Sequence, residues 1–314
     1  MAACLGELSR AELRARLADN ALRLRIGPFA YALGSEWPGL ADWLAPLYAR
    51  YPRFPDDECA DFRVRLRWRG LHGRLRRELA VEFEGERLAY RPFGPDYAPP
   101  HLEWGLNWGV AFHAGRLLML HAAVVARGER ALLLPAQPGS GKSTLAAALG
   151  FRGWRFLSDE FCLIDLQRFE LLPFPRLVAL KNASVPAMRA HAPAAVIGRD
   201  FPNTAKGCLA HLQPPPGSIE AMDRPAVPAW IVFPQFRAGS RARLEAVPPE
   251  RTMARLCTNA FNYEHTGLTG FETVARLVSG CPARALEFGT LDDAIAAIDA
   301  LADGREPLSA AGAR

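Results

Sequence analysis

Lysine is almost missing from this chain. Of its 314 residues 38 are basic, yet only Lys142, Lys181 and Lys206 are lysines and the rest are arginine. A chain that uses arginine nearly everywhere keeps lysine where a compact ammonium is needed rather than a planar fork, so the three lysines are candidate functional groups. Long hydrophobic runs are missing too. The longest strongly apolar stretch, residues 117–126, lies between Arg116 and Arg127 and is too short to span a bilayer. The first residues lead into Arg10, Glu12, Arg14 and Arg16 without an apolar core, which predicts no secretory signal. The six cysteines are scattered with no CxxC spacing, which speaks against a zinc site or a disulfide framework and for reduced thiols in a cytoplasm. A strong charge imbalance is absent. The net charge of +5 suits acidic ligands such as nucleotides, without the footprint of a nucleic-acid binder. No internal repeat is present.

The length allows two domains, or one large α/β domain with an extension. Residues 7–19 have an amphipathic helical pattern carried by Leu8, Leu13 and Leu17. Residues 21–33 read as a strand region broken by Gly27 and Pro28. Residues 63–69 alternate between arginine and apolar side chains, and residues 79–83 and 87–90 read as a hairpin. We therefore expect a strand-rich α+β accessory domain over residues 1–100, ending in a proline-rich linker at 92–100. A nucleotide-binding domain follows over 101–301, then a disordered tail over 302–314. Within the second domain, 101–117 is expected to be a helix and 118–125 a buried strand. Strands are expected at 131–134, 154–157, 162–166, 170–172, 229–233, 243–247 and 283–288, and helices at 249–261, 270–278 and 291–301. Residues 199–228, rich in proline and glycine, read as an ordered but mobile loop near the site.

The strongest motif is Ala136, Gln137, Pro138, Gly139, Ser140, Gly141, Lys142, Ser143, followed by Thr144. It differs from GxxxxGK[ST] only in Ala136, and it stands between an apolar strand and a helix-forming run, the context this phosphate-binding pattern requires. Backbone N–H groups at Gly139, Gly141 and Lys142 can converge on phosphate oxygens at a helix N-terminus. Lys142 would reach the β- and γ-phosphates of ATP, and the Ser143 hydroxyl would take a Mg²⁺ position. Alanine is less free than glycine to adopt positive φ, so a slightly different loop entry is expected.

Asp159 and Glu160 lie 17 and 18 residues beyond Lys142. One helix and one strand fill that distance, which would bring both acids to the end of the strand beside the phosphate loop, where open α/β sheets bind ligands. Asp159 is assigned as the base on an attacking hydroxyl and Glu160 as the metal-side ligand. A Ser-Asp-Glu turn or cap is the bland alternative.

Residues 120–165, "LHAAVVARGERALLLPAQPGSGKSTLAAALGFRGWRFLSDEFCLID", resemble the HPr kinase/phosphorylase family. The correspondence comprises a histidine on a strand (His121), the 136–143 loop, a helix, and a strand ending in paired acids. The family carries Asp-Asp where this chain has Asp159 and Glu160. The resemblance implies a P-loop kinase core of the HPr kinase/PEP carboxykinase-like type, ATP and Mg²⁺ as cofactors, and transfer to a serine hydroxyl with Asp159 as general base. The chain is most similar to the HPr kinase-related kinases (the A subgroup), which lack an HPr partner. That implies a peptide or small-protein acceptor handled together with a peptide-chaperone protein, and the family as a whole implies a homo-oligomer. "LPFPRLVALKNASV" and "NTAKGCLAHLQPPP" are similar to segments of that subgroup, and they contain Lys181 and Lys206, which become candidate contacts to the transferred phosphate or a substrate anion.

Other candidates are weaker. His121 could touch phosphate or be a satisfied core residue; His211 has less standing. The arginine face of residues 63–69 could dock an acidic peptide or be a solvated strand face. Arg237 could serve as a transition-state arginine. Two other functions stay open: a small-molecule kinase, since metabolite kinases also place an acid at this distance from the loop, and a nucleotide-sensing protein that transfers nothing.

Overall fold

The computed structural model describes residues 3–305 as a mixed α/β chain with three sheets. Helix α1 (Arg10–Ala18) starts in a capping box, where the Ser9 hydroxyl accepts from Glu12 N and the Glu12 carboxylate accepts from Ser9 N. β1 (Leu22–Ile26) and β2 (Phe29–Ser35) form a hairpin through Gly27, whose φ is +56°. After α2 (Leu40–Leu47), β3 (Phe62–Trp68) pairs in parallel with β2. α3 (Gly70–Arg76), β4 (Leu79–Phe83) and the short β5 (Glu86–Arg87) complete a five-stranded sheet in the order β1-β2-β3-β4-β5.

Helix α4 (Ala98–His113) lies across β3 and β4. A Cβ at Gly105 would stand 2.8 Å from Val64 Cγ1, and one at Gly109 2.9 Å from the Phe62 ring, so both glycines permit the close approach. The helix begins inside the expected 92–100 linker and ends before residue 117. A cut at residue 100 would fall within it.

β6 (Leu117–Arg127) and β7 (Arg130–Pro135) form an antiparallel pair, and β7 runs into the phosphate loop and α5 (Lys142–Phe151). β8 (Arg155–Ser158) and β9 (Phe161–Asp165) both pair antiparallel with β6, along the edge that faces away from β7. Together they form one interrupted strand, with Ser158 opposite Val124 and Phe161 opposite His121. Asp159 and Glu160 are the interruption. β10 (Leu171–Leu172) pairs with β9. The acids are therefore not on the strand beside the phosphate loop, as spacing alone predicts, because β6 lies between. Sequence spacing counts residues but does not reveal an inserted antiparallel neighbour.

β11 (Val178–Lys181), α6 (Ser184–His191), β12 (Phe201–Thr204), β13 (Gly207–Leu212) and α7 (Pro216–Glu220) follow. The three strands form a sheet in the order β11-β13-β12. The expected loop at 199–228 is thus largely structured: a hairpin turning at residues 205–206 and a short helix. Its strands are brief and proline flanks them, which hides the alternation that marks a strand.

β14 (Val227–Phe236) runs parallel to β7, and β16 (Ala283–Phe288) parallel to β14, with β15 (Arg243–Ala246) antiparallel at the edge. α8 (Pro249–Thr258) and α9 (Tyr263–Gly280), kinked at Gly267, cover one face of this sheet; α10 (Leu291–Ala302) and α5 cover the other. The tail expected from residue 302 lies mostly at 306–314, outside the described residues. Arg305 N still donates to Ala300 O at 3.0 Å. Cys59, Cys162, Cys208, Cys257 and Cys281 are free thiols. No helix among the described residues is long and apolar enough to cross a membrane.

Strand alternation on β6 locates the site. Leu118, Leu120, Ala122, Val124 and Ala126 face α8 and α9. On the opposite face Leu117 and Met119 join the core of the N-terminal sheet, while Ala123 and Val125 pack with α5. With side chains alternating every two residues, His121 comes out on that second face, at the seam between the N-terminal core and the phosphate-loop helix.

Candidate functional site

The loop after β7 is built for an anion. Gly139 and Gly141 have φ of +88° and +89°, a region that glycine enters without steric cost. Gly141 is the N-cap of α5 and offers no side-chain cap, and the first helical bond is Leu145 N to Gly141 O at 2.9 Å. Among the described residues no acceptor takes up the N–H groups of Gly139, Gly141, Lys142, Ser143 or Thr144. Such unsatisfied donors, added to the helix dipole, favour a phosphate. Ala136 is not in the left-handed region, so the one departure from the pattern falls where alanine is unstrained. Gln137, Pro138 and Gly139 are exposed, whereas Ser140 is buried and its carbonyl accepts from Phe236 N at 3.0 Å. That bond anchors the loop to the end of β14.

Lys142 is buried, and its Nζ lies 2.9 Å from His121 Nε2. Burial, then the Lys142 ammonium, push the His121 ring down to about 4, so the imidazole is neutral near pH 7 and Nε2 accepts from the lysine. Burial also holds Lys142 below its ordinary value, against the pull of Asp159 and Glu160. His121 is thus neither a plain core residue nor, in this geometry, a separate ligand: it holds the loop lysine. Its backbone is fixed from the other side, where His121 N donates to Asn259 O at 2.6 Å.

The acids sit at the same level. Pro135 pairs with Ala122, and Asp159 and Glu160 span the interval between Ser158, opposite Val124, and Phe161, opposite His121. The Ser143 hydroxyl lies 3.5 Å from Asp159 O, and Thr144 donates to Ser184 at 2.9 Å. The Asp159 side chain is buried and receives no hydrogen bond among the described residues; burial raises its pKa even though Arg176 opposes the shift. Glu160 differs. Burial would raise it, but Arg176 and then Lys142 outweigh burial and hold it below the usual carboxylate range. Its Oε2 accepts from Asn107 Nδ2 at 2.7 Å and pairs with Arg176 Nη2 at 3.5 Å.

Arg176, Glu103 and Asn107 are the functional-site residues that sequence reasoning missed. Arg176 and Glu103 form a buried ion pair, and the Tyr48 hydroxyl donates to Glu103. Glu103 and Asn107 are both on α4, so the helix covering the N-terminal sheet also lines the site. The one available signal was a charged arginine in an otherwise apolar stretch, residues 171–180.

Lys181 closes β11, and Lys206 sits at the turn between β12 and β13. Lys181 acts through its charge on His121, Lys142, Asp159 and Glu160, and Lys206 acts on the same four groups, so all three lysines of the chain are within electrostatic reach of the acid pair. Partial withdrawal from water, then Lys181, keep Lys206 below its ordinary value.

Two candidates fall outside, His211 and the arginine face of residues 63–69. His211 is 1% exposed between Trp43 and Phe201, and burial pushes it down to about 3. The arginines of β3 are already paired: Arg63 with Glu84, Arg65 and Arg67 with Glu36, and Arg67 also with Glu82. Arg69 pairs with Glu78. That face therefore offers an acidic peptide few free cations. Arg237 follows Phe236, whose N–H anchors the phosphate loop, and its exposed side chain pairs with Glu287 at 3.4 Å.

For a divalent cation, the candidate oxygens are the Ser143 hydroxyl, which meets the backbone carbonyl of Asp159 at 3.5 Å, and the carboxylates of Asp159 and Glu160, with Glu160 Oε1 not taken up by Asn107 or Arg176. This all-oxygen set of few protein ligands suits Mg²⁺ held with substrate phosphates. Among the described residues no group of three or more His, Cys, Asp or Glu could hold a metal by itself. No family model matches the chain, and no curated protein sequence matches it.

Proposed function

We propose that this chain is a cytoplasmic ATP-dependent phosphotransferase that moves the γ-phosphate to a hydroxyl, with a serine of a peptide or small protein as acceptor. The observation that carries this reading is the meeting at one level of a phosphate loop with free N–H donors, the Lys142–His121 pair and a buried, unbonded Asp159. The similarity of residues 120–165 to HPr kinase-type enzymes supports it, and a P-loop core with an N-terminal accessory unit is part of the same proposal.

The loop N–H groups and the dipole of α5 would hold the β- and γ-phosphates of ATP. Mg²⁺ would arrive with those phosphates, be held by Ser143 and Glu160, and neutralise charge on their oxygens. Lys142, released from the neutral His121, would turn its ammonium to the γ-phosphate; Lys181 and Lys206 would add positive field on the acceptor side. The acceptor oxygen attacks the γ-phosphorus as the bond to the bridging oxygen breaks, ADP leaves, and the hydroxyl proton passes to Asp159. The raised pKa of Asp159 suits it to receive that proton. Glu160, pinned by Asn107 and Arg176, stays ionised throughout.

The test is γ-labelled ATP with Mg²⁺ in lysate of the source organism, with wild type and Asp159→Asn compared and products separated by size. Label in a polypeptide, present with wild type and lost in Asp159→Asn, is the expected result. Label confined to small molecules would replace the acceptor class. Tight ATP binding with no Asp159-dependent label in any fraction would overturn the reading.

A further inference from the structure

A cleft of about 340 Å³ opens between the first turns of α4 and the end of β12, large enough for one or two side chains. One wall is aromatic: Tyr90, Phe93, His101 and Trp104. Phe93 and His101 stack at 3.6 Å and 13°, and Tyr90 meets both His101 and Trp104 edge-on. The frame is preformed. The opposite wall is the turn after β12, and it is fastened to the aromatic side by the Tyr97 hydroxyl, which donates to Pro202 O at 2.6 Å.

The cleft is joined to the proposed reaction centre by two elements. Trp104 and Asn107 are three residues apart on α4 and share a face of that helix, and Asn107 bonds Glu160. The turn that forms the opposite wall carries Lys206, whose Nζ stands 5.8 Å from the centroid of the Trp104 ring and whose charge acts on both Asp159 and Glu160. A group seated against Trp104 is therefore one helical turn from the residue that bonds Glu160. The charge of the cleft has one sign: Arg91 is in its lining, Lys206 is at its rim, and no lining residue is acidic.

We infer that this cleft is the acceptor-binding site, and that it takes an acidic peptide segment, with an aromatic side chain of the peptide among Tyr90, His101 and Trp104 and its carboxylate near Lys206 and Arg91. The inference rests on the phosphotransferase reading for its role and on the cleft alone for its chemistry. Aromatic rings bind a further ring by edge-to-face and offset contacts, and a cleft whose lining and rim carry Arg91 and Lys206 without an acidic lining residue selects against basic segments.

Binding tests this without turnover. Three labelled ten-residue serine peptides are titrated into the full chain by fluorescence anisotropy: one with phenylalanine and aspartate flanking the serine, one with phenylalanine replaced by alanine, one with aspartate replaced by arginine. The first peptide is expected to bind about tenfold more tightly than either of the others, the scale of one aromatic anchor or one charge contact. Trp104→Ala should erase the preference for phenylalanine, and Lys206→Ala should weaken that for aspartate. Ala205→Trp fills the cleft from an exposed turn position with the aromatic frame intact, so it should abolish selective binding in a protein with a native circular dichroism spectrum. Equal binding of the three peptides, or a preference unchanged in Ala205→Trp, would overturn the inference. The phosphotransferase reading is scored separately: selective peptide binding without Asp159-dependent transfer from ATP removes that reading and leaves the cleft as a peptide site.

Discussion

Asn107 donates to Glu160 across 2.7 Å although 53 residues separate them. The bond makes a helix of the N-terminal unit part of the acid site. A hydrogen bond to an ionised group contributes about 1.5–3 kcal/mol. Asn107→Ala is therefore expected to lower the proposed Asp159-dependent transfer by about tenfold or more, and Asn107→Asp to lower it further by placing a like charge against Glu160. Saturating-ATP kinetics decide the matter: unchanged kcat in both variants would mean that Asn107 only fastens two elements together.

The bond between Lys142 and His121 predicts a titration that needs no substrate. Burial and the lysine charge together hold the His121 ring at about 4. In Lys142→Met the charge goes and the burial stays, so the ring should titrate higher but still below its ordinary 6.5. Proton NMR of the His121 ring reads this directly. A value that stays near 4 would show that the lysine charge has no part in it.

Removal of Arg176 should be severe. The side chain is 3% exposed and faces Glu103, Asp159 and Glu160. Arg176→Met strands those carboxylates, which typically costs about 3–5 kcal/mol for a broken buried pair. The double variant Arg176→Met with Glu103→Leu restores part of that loss, because one of the stranded charges is also gone. Urea denaturation of the single and double variants is the check. A double variant less stable than Arg176→Met would sink this account of the pair.

His211 predicts an acid sensitivity unrelated to the site. Its folded value is pushed down to about 3 from an ordinary 6.5. Between those values the unfolded chain binds a proton that the folded one refuses, so stability is full above about 6.5 and falls as pH drops. One such group contributes a slope of about 1.4 kcal/mol per pH unit. His211→Phe keeps a ring between Trp43 and Phe201 and removes Nδ1, a buried atom with no partner. The variant should match or exceed wild type at pH 7, and its urea midpoint should fall less steeply below pH 6. Parallel pH profiles for the two proteins would refute the prediction.

Local features of the site were legible from the sequence because their causes are local. The apolar run of β7, the two glycines and the helix-forming residues after Ser143 specify strand, loop and helix within a few positions. The scarcity of lysine pointed to Lys181 and Lys206 before any fold was known. What stayed hidden depends on distance along the chain. Nothing near Asp159 tells that β6 stands between it and the phosphate loop, and nothing near Asn107 tells that its amide meets Glu160. The hairpin of β12 and β13 was hidden for a different reason: its strands are short, and Pro202 and residues 214–216 are prolines, a pattern that locally signals a loop.

The N-terminal sheet, α4 and one face of β6 and β9 share a single apolar core, in which Phe29 meets Phe174 at 5.5 Å and Tyr51 donates to Pro175 O at 2.6 Å. A core shared in this way binds the two halves of the chain thermodynamically. Melting the N-terminal sheet would bare Met119 and Phe161 on the strands that carry His121 and flank Glu160, so the first hundred residues and the site should be lost in one cooperative transition.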